Sequence, residues 1–205
     1  MKNRTTLCSL AAALCLSACA SAPVHYHTLL PPAETSASAQ PPAPFLIELL
    51  PVGVPVQIDQ PQLVIRQGGS GVAVLDGERW AGPLAEEIRT ALSARLSHDL
   101  GTRDVAGLAR AGDRQLVRIK LQLRRFELIP GQGVRLAADW SLGVADEAGN
   151  ARLSCGASFA TPVQGGYPAL VEAQQALIAR LAERIGADAR AWSQSRTQPC
   201  FNPST

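Results

Sequence analysis

Residues 114–128 set the terms for the rest of the chain. Val117, Ile119, Leu121 and Leu123 alternate there with Arg118, Lys120, Gln122 and Arg124. Neighbouring side chains of a strand point to opposite faces, so one face of this strand meets a core and the other meets water or a partner. The pattern returns twice. Val134, Leu136, Ala138, Trp140, Leu142 and Val144 form a second apolar set, and Leu153, Cys155, Ala157 and Phe159 a third. Pro130-Gly131-Gln132-Gly133 and residues 146–150 read as the turns between them, which makes three consecutive strands of an antiparallel meander. A sheet with one apolar face needs a second layer to cover it. Two helical stripes can supply that layer. Leu84, Ile88, Leu92, Leu96 and Leu100 recur every fourth residue, and Val171, Gln174, Leu177, Ile178, Leu181, Ile185, Ala189 and Trp192 mark a longer helix opened by Gly165-Gly166-Tyr167-Pro168.

Ahead of the first helix, Gln62-Leu63-Val64-Ile65-Arg66 and Val72-Ala73-Val74-Leu75 flank Gly68-Gly69-Ser70-Gly71 and read as a hairpin. Asp76-Gly77 reads as a further turn. Pro83 suits the first turn of a helix, where a missing N–H costs nothing, and Glu86 and Glu87 sit at the end of the dipole that favours acids. Gly101 suits the helix stop. Trp80 is expected where the hairpin meets this helix, with Leu84, Ile88 and Leu92 facing the meander. Residues 24–30 alternate in a strand-like way, and residues 45–50 are apolar but for Glu48, like a strand covered on both faces. The fold class that follows is α+β: an antiparallel-rich sheet with a β-meander, packed by two long amphipathic helices, in the order β-β-β-β-α-β-β-β-α.

The start of the chain is a targeting segment. Lys2 and Arg4 precede an apolar run over residues 7–18 that is too short to span a bilayer. It ends in Leu16-Ser17-Ala18-Cys19, an aliphatic residue, two small ones and a cysteine, which resembles the lipobox of bacterial lipoproteins. The competing reading is a plain secretory signal cut near Ala18 or Ala20. With the lipobox, Cys19 carries a palmitate-type acyl anchor, and two or more chains anchor stably. Ala20, rather than Asp, follows Cys19, which favours the outer membrane with the domain facing the periplasm. The expected division is 1–18 signal peptide, 19–44 lipidated N-terminus with a short strand and a low-complexity loop, 45–195 folded domain, and 196–205 tail. The Pro/Ala/Ser/Gln-rich residues 31–44 are expected to be loose and to let Cys19 stand away from the domain by roughly 20 Å. Cys8 and Cys15 leave with the signal, so Cys155 and Cys200 remain as unmodified thiols in an oxidising compartment. They either bridge, tying the tail to the third meander strand, or stay as two independent thiols.

The chemistry read from the sequence is sparse. A net charge of +2 among 205 residues points to neither nucleic acid nor acidic substrates, and the few aromatics offer no base-stacking platform. No Gly-x-Ser-x-Gly elbow, Walker loop, dinucleotide fingerprint or His-Glu-x-x-His occurs. Ser97, His98 and Asp139 make a triad only on paper, so no catalytic residue and no cofactor is assigned. His25 and His27 would share one face of a strand, as metal ligands do, but no third ligand lies nearby in sequence and no metal is assigned. A solvated face beside a buried Tyr26 is the expectation. The outward stripe of Arg118, Lys120 and Arg124 is either a solvated strand face or a surface for anionic headgroups or an acidic partner. The glycine tip at Gly68, Gly69 and Gly71 offers open backbone to the same partner.

One resemblance gathers these pieces. Cys19 of the lipobox, Tyr26-His27-Thr28-Leu29, Pro61-Gln62-Leu63-Val64, Arg79-Trp80-Ala81-Gly82-Pro83-Leu84, and Gly166-Tyr167 at the last helix follow in an order similar to the auxiliary lipoproteins of ABC-type transport systems. That is the family of the paraquat-inducible Pqi lipoprotein, linked to membrane integrity. The resemblance implies a non-catalytic subunit of an intermembrane lipid-transport system. Its partners would be a periplasmic protein with a mammalian-cell-entry (MCE) domain and the outer-membrane lipids that hold the anchor. Homo-oligomerisation is left open, and a stand-alone lipid- or small-ligand-binding lipoprotein is the alternative.

Overall fold

The structure, a computed structural model, describes residues 23–32, 40–109, 112–144 and 152–201. The strands are β1 His25–His27, β2 Leu46–Leu49, β3 Gln62–Gln67, β4 Gly71–Trp80, β5 Leu116–Ile129, β6 Gly133–Val144 and β7 Leu153–Thr161. The helices are α1 Leu84–Leu100 and α2 Tyr167–Gln194. All seven strands form one mixed sheet in the order β1-β4-β3-β5-β6-β7, with β2 also on β5. The architecture is α+β in the expected element order.

The meander forms as its alternation requires. β5 and β6 pair antiparallel from Val117 opposite Val144 to Ile129 opposite Gly133, and β6 pairs with β7 over Val134–Leu142. Val117, Ile119, Leu121 and Leu123 are buried, and Arg118, Lys120 and Arg124 are exposed. The register slips between Leu123 and Arg125, so the buried parity moves to Phe126 and Leu128. The slip falls where β5 changes partner on its other edge. β2 runs parallel to Leu116–Ile119, and the chain follows β5 onward until Leu123 N–H bonds to Gly53 O at 2.8 Å. It then leaves, and β3 returns to meet β5 at Leu128.

Both helices cover one face of the sheet. Every residue of the α1 stripe is buried, and so is the α2 stripe from Val171 to Trp192. Gln174 lies in that stripe because its amide donates to Glu127 O at 2.9 Å and Arg135 O at 3.3 Å. The α1 stripe packs chiefly on α2 and β2, and α2 is the helix that crosses β5, β6 and β7, which corrects the expectation that α1 faces the meander. Arg95 meets Glu183 while Arg190 donates to Asp99 O, so the two helices run in the same direction. Gly101 ends α1 in the left-handed conformation at φ 57°, with its N–H on His98 O.

Four further expectations change. Asp76-Gly77 is no turn. It lies inside β4, where Gln62 opposes Arg79 but Leu63 opposes Leu75. The extra residues form a bulge that reverses which parity faces inward, and Trp80 thereby enters the core against Phe126, with ring centres 6.1 Å apart. The histidine strand is turned over: Tyr26 is exposed and His27 is largely buried. The low-complexity segment is not loose throughout, because Ala43 is buried and its N–H bonds to Leu100 O at 2.7 Å. Of the third meander set only Cys155 is fully buried, since β7 is the last strand and its flank is open.

Candidate functional site

The face of the sheet away from the helices has no second layer among the described residues. Its middle carries Arg66 of β3, Arg124 and Arg125 of β5 and Arg135 of β6. Glu127 lies between three of these guanidinium groups. Arg66 Nη2 donates to it at 2.5 Å, Arg125 stands at 3.9 Å and Arg135 at 4.0 Å. One carboxylate thus serves three cations, and the group keeps an excess of positive charge. Beside it, Val72 and Val74 of β4 stand exposed on the same face. A cleft of about 460 Å³ is lined by Ile58, Val64 and Val72 together with Arg66, Arg124, Arg125 and Glu127. Apolar side chains beside guanidinium groups suit a group that is both acidic and partly apolar.

The predicted stripe is only part of this surface. Arg118 donates to Glu48 at 2.6 Å and Arg124 to Asp139 at 2.6 Å, so each has an acidic partner within the fold. Such exposed pairs hold weakly and exchange readily for a competing anion. Lys120 borders a separate shallow hollow with Gln122, Ser154 and Gly156. The glycine tip caps the β3–β4 hairpin at the same end as Val72. Gly68 sits at φ 64° with open space around it, and a Cβ on Gly71 would press on Gln67 O at 2.7 Å, so the tip tolerates no side chain there. Arg66, Arg125 and Arg135 were not signalled by the sequence stripe. Arg125 lies past the register slip, and Arg66 and Arg135 come from other strands.

Ser97, His98 and Asp139 are not brought together. His98 Nδ1 meets Asp99 Oδ1 at 3.0 Å on α1, while Asp139 sits on the open sheet face with Arg124. His25 and His27 do share a face, and their third partner is Glu78, which lies opposite His25 in the parallel β1–β4 pair. Both rings donate to this carboxylate, His25 Nδ1 at 3.1 Å and His27 Nε2 at 2.5 Å. Burial acts to raise the Glu78 carboxyl, but the His27 and His25 hydrogen bonds and ring charges outweigh it and hold it below its ordinary value. No group of three ligands placed to hold a metal ion occurs among the described residues.

Two other carboxylates fasten residues 28–29 and residue 201 to the helices. Glu87 of α1 accepts from Thr28 Oγ1 at 2.7 Å and from the Leu29 N–H at 2.8 Å, which seats the fully buried Leu29. Asp188 of α2 is buried, and accepts from Trp140 Nε1 at 3.1 Å and from the Phe201 N–H at 2.6 Å. Burial pushes its carboxyl above the ordinary value, against the pull of these two donors and of Arg184. The adjoining Cys155 and Cys200 are joined by a disulfide with Cα atoms 5.7 Å apart.

The domain is thus α+β, with one sheet face covered by helices and the other carrying a cluster of arginines around Glu127. The chain belongs to the family of ABC-type transport auxiliary lipoprotein components, whose model matches residues 27–186. No curated protein matches it. Its fold is similar to the crystal structure of protein XCC0632 from Xanthomonas campestris, of family DUF330, at a TM-score of 0.64 and 16% identity, covering 85% of this chain and 99% of that one. A second crystal structure, of an uncharacterized protein, is similar at a TM-score of 0.64 and 18% identity, covering 82% and 99% of the two chains. No helix among the described residues is long and apolar enough to cross a membrane.

Proposed function

We propose that this protein is the non-catalytic lipoprotein subunit of an ABC/MCE-type intermembrane lipid-transport system. Cys19 anchors it in the outer membrane, the domain faces the periplasm, and it tethers the MCE partner there. The observation that carries this reading is the open sheet face, where Arg66, Arg124, Arg125 and Arg135 adjoin exposed valines. Charged groups at such a surface steer encounter and fix register, while the apolar part supplies contact area. Family membership supports the transport role.

The test is capture of the MCE protein of the same system by the mature lipoprotein, at low and high salt. Arg124→Glu combined with Arg125→Glu should weaken capture and flatten its salt dependence. The alternative is a stand-alone lipid- or small-ligand-binding lipoprotein, for which the cleft beside Ile58 and Val72 is the observation. No capture at low salt, together with stoichiometric lipid in the purified protein, would replace the tether with that carrier.

A further inference from the structure

We propose that the β1 edge of the sheet lies against the membrane that holds the anchor, with Val24, Tyr26 and Leu30 entering its interfacial layer. The proposal rests on the reading of Cys19 as the lipidated residue. Its first ground is covalent reach. The Pro-rich segment follows β1 in the chain, and β1 is already hydrogen-bonded to β4. That segment therefore adds nothing to the distance between the anchor and the sheet. Val24 lies five residues after Cys19, which an extended chain covers in at most about 18 Å. The β1 edge is consequently the part of the domain tied most closely to the lipid.

The second ground is what this edge exposes. Tyr26 is 67% exposed, Val24 41% and Leu30 37%, within seven consecutive residues. They are firmly held in place rather than free to fold inward. The β1 strand is fixed by His25 and His27 on Glu78, and the following residues by Thr28 and Leu29 on Glu87. Gln175 of α2 donates to Thr28 O at 2.9 Å and closes the segment from the other side. These clamps present apolar side chains outward from a rigid edge. Tyrosine has an apolar ring and a polar hydroxyl, the combination enriched at the membrane–water boundary. Acyl chains on Cys19 already give stable attachment, so this contact sets the orientation of the domain rather than its affinity.

The experiment places a tryptophan at the edge. Trp80, Trp140 and Trp192 are all buried, so their emission forms a constant background. Mature lipidated protein carrying Tyr26→Trp is reconstituted into phosphatidylcholine vesicles with and without brominated acyl chains. The control is Leu108→Trp, at a residue 69% exposed beyond the far end of α1, a helix of 17 residues and about 25 Å. The bromines lie about 5–10 Å below the headgroups, the depth that interfacial side chains reach. The added emission at position 26 should be blue-shifted and mostly lost on bromination, while that at position 108 stays unchanged. Unquenched emission at both positions, or equal quenching at both, overturns the proposed orientation. Flotation of the vesicles separates the two readings. Protein that floats with an unquenched position 26 sinks the membrane edge alone, and protein that does not float sinks the anchor and the edge with it.

Discussion

Removal of the Cys155–Cys200 bond should cost this domain a large part of its stability. The bond closes a loop with a sequence separation of 45 that contains most of β7 and all of α2. In the chain-entropy description, a loop of that length restricts the unfolded chain by about 4 kcal/mol. Small domains hold about 5–15 kcal/mol in total, so the effect is visible by any equilibrium method. The folded state should change little. Phe201 N–H would still bond to Asp188, the Arg184 guanidinium would still lie 5.2 Å from the Phe201 ring, and Cys155 would be a buried thiol in an apolar setting. The assay is urea unfolding of Cys200→Ala against wild type, followed by tryptophan emission, with Trp140 as the reporter beside Asp188. The midpoint should fall, and the slope should rise because the released unfolded chain exposes more surface. An unchanged midpoint would refute the reasoning, since it would mean that the bond restrains nothing in the unfolded chain. A lower midpoint with lost near-ultraviolet circular dichroism under native conditions would count against it differently, by showing that the tail bonds cannot hold alone.

Glu87→Ala should destabilise the domain by about 1–3 kcal/mol, because it leaves the buried Leu29 N–H without an acceptor, and hydrogen exchange should show protection lost at Leu29 before it is lost in β5. Glu78→Gln tests the histidine clamp through pH. The Glu78 carboxyl is held below its ordinary value of 4.5, so its contribution is present above that pH and is lost as pH falls through the folded value. Wild type should therefore lose stability on acidification below 4.5 more steeply than the Gln variant, and parallel curves would reject the clamp. Asp188 works with the opposite sign, since an acid raised by burial favours the folded state as pH falls, and it is common to both proteins in that comparison.

What the sequence made legible was what repeats at short range. The two-residue alternation of β5 and β6 and the four-residue spacing of α1 concern neighbours along the chain, and their inward residues are buried as expected. The misreadings share a cause in partners that lie far apart in sequence. Asp76-Gly77 has turn chemistry, but the meaning of those residues depends on Gln62, which opposes Arg79 and forces a bulge that brings Trp80 inward. His27 turns inward onto Glu78 of the neighbouring strand, which His25 reaches from an exposed position, and this leaves Tyr26 outside. Glu87 reads as a first-turn acid favoured by the helix dipole, yet its oxygen holds residues 28 and 29. The basic stripe on β5 was legible, but not its acidic partners Glu48 and Asp139, nor the larger group around Glu127.

Strand order then relates the two proposed surfaces. β1 is one edge of the sheet and β7 the other, five steps apart, or about 24 Å at the usual spacing between strands. With β1 against the lipid, β3, β5 and β6 stand progressively farther out. The arginines they carry lie roughly 10–20 Å from that edge, beyond the headgroups yet within a Debye length or two of an anionic surface. The disulfide-clamped tail sits at the distal side, on β7. In this orientation the open face looks sideways across the periplasm rather than into the membrane. A partner could approach it without displacing lipid, and the helix-covered face could not compete for it. A flexible spacer between anchor and sheet would leave the direction of that face undefined. With the proposed anchor at Cys19, the docking of β1 ahead of the Pro-rich segment would let the domain present one particular surface.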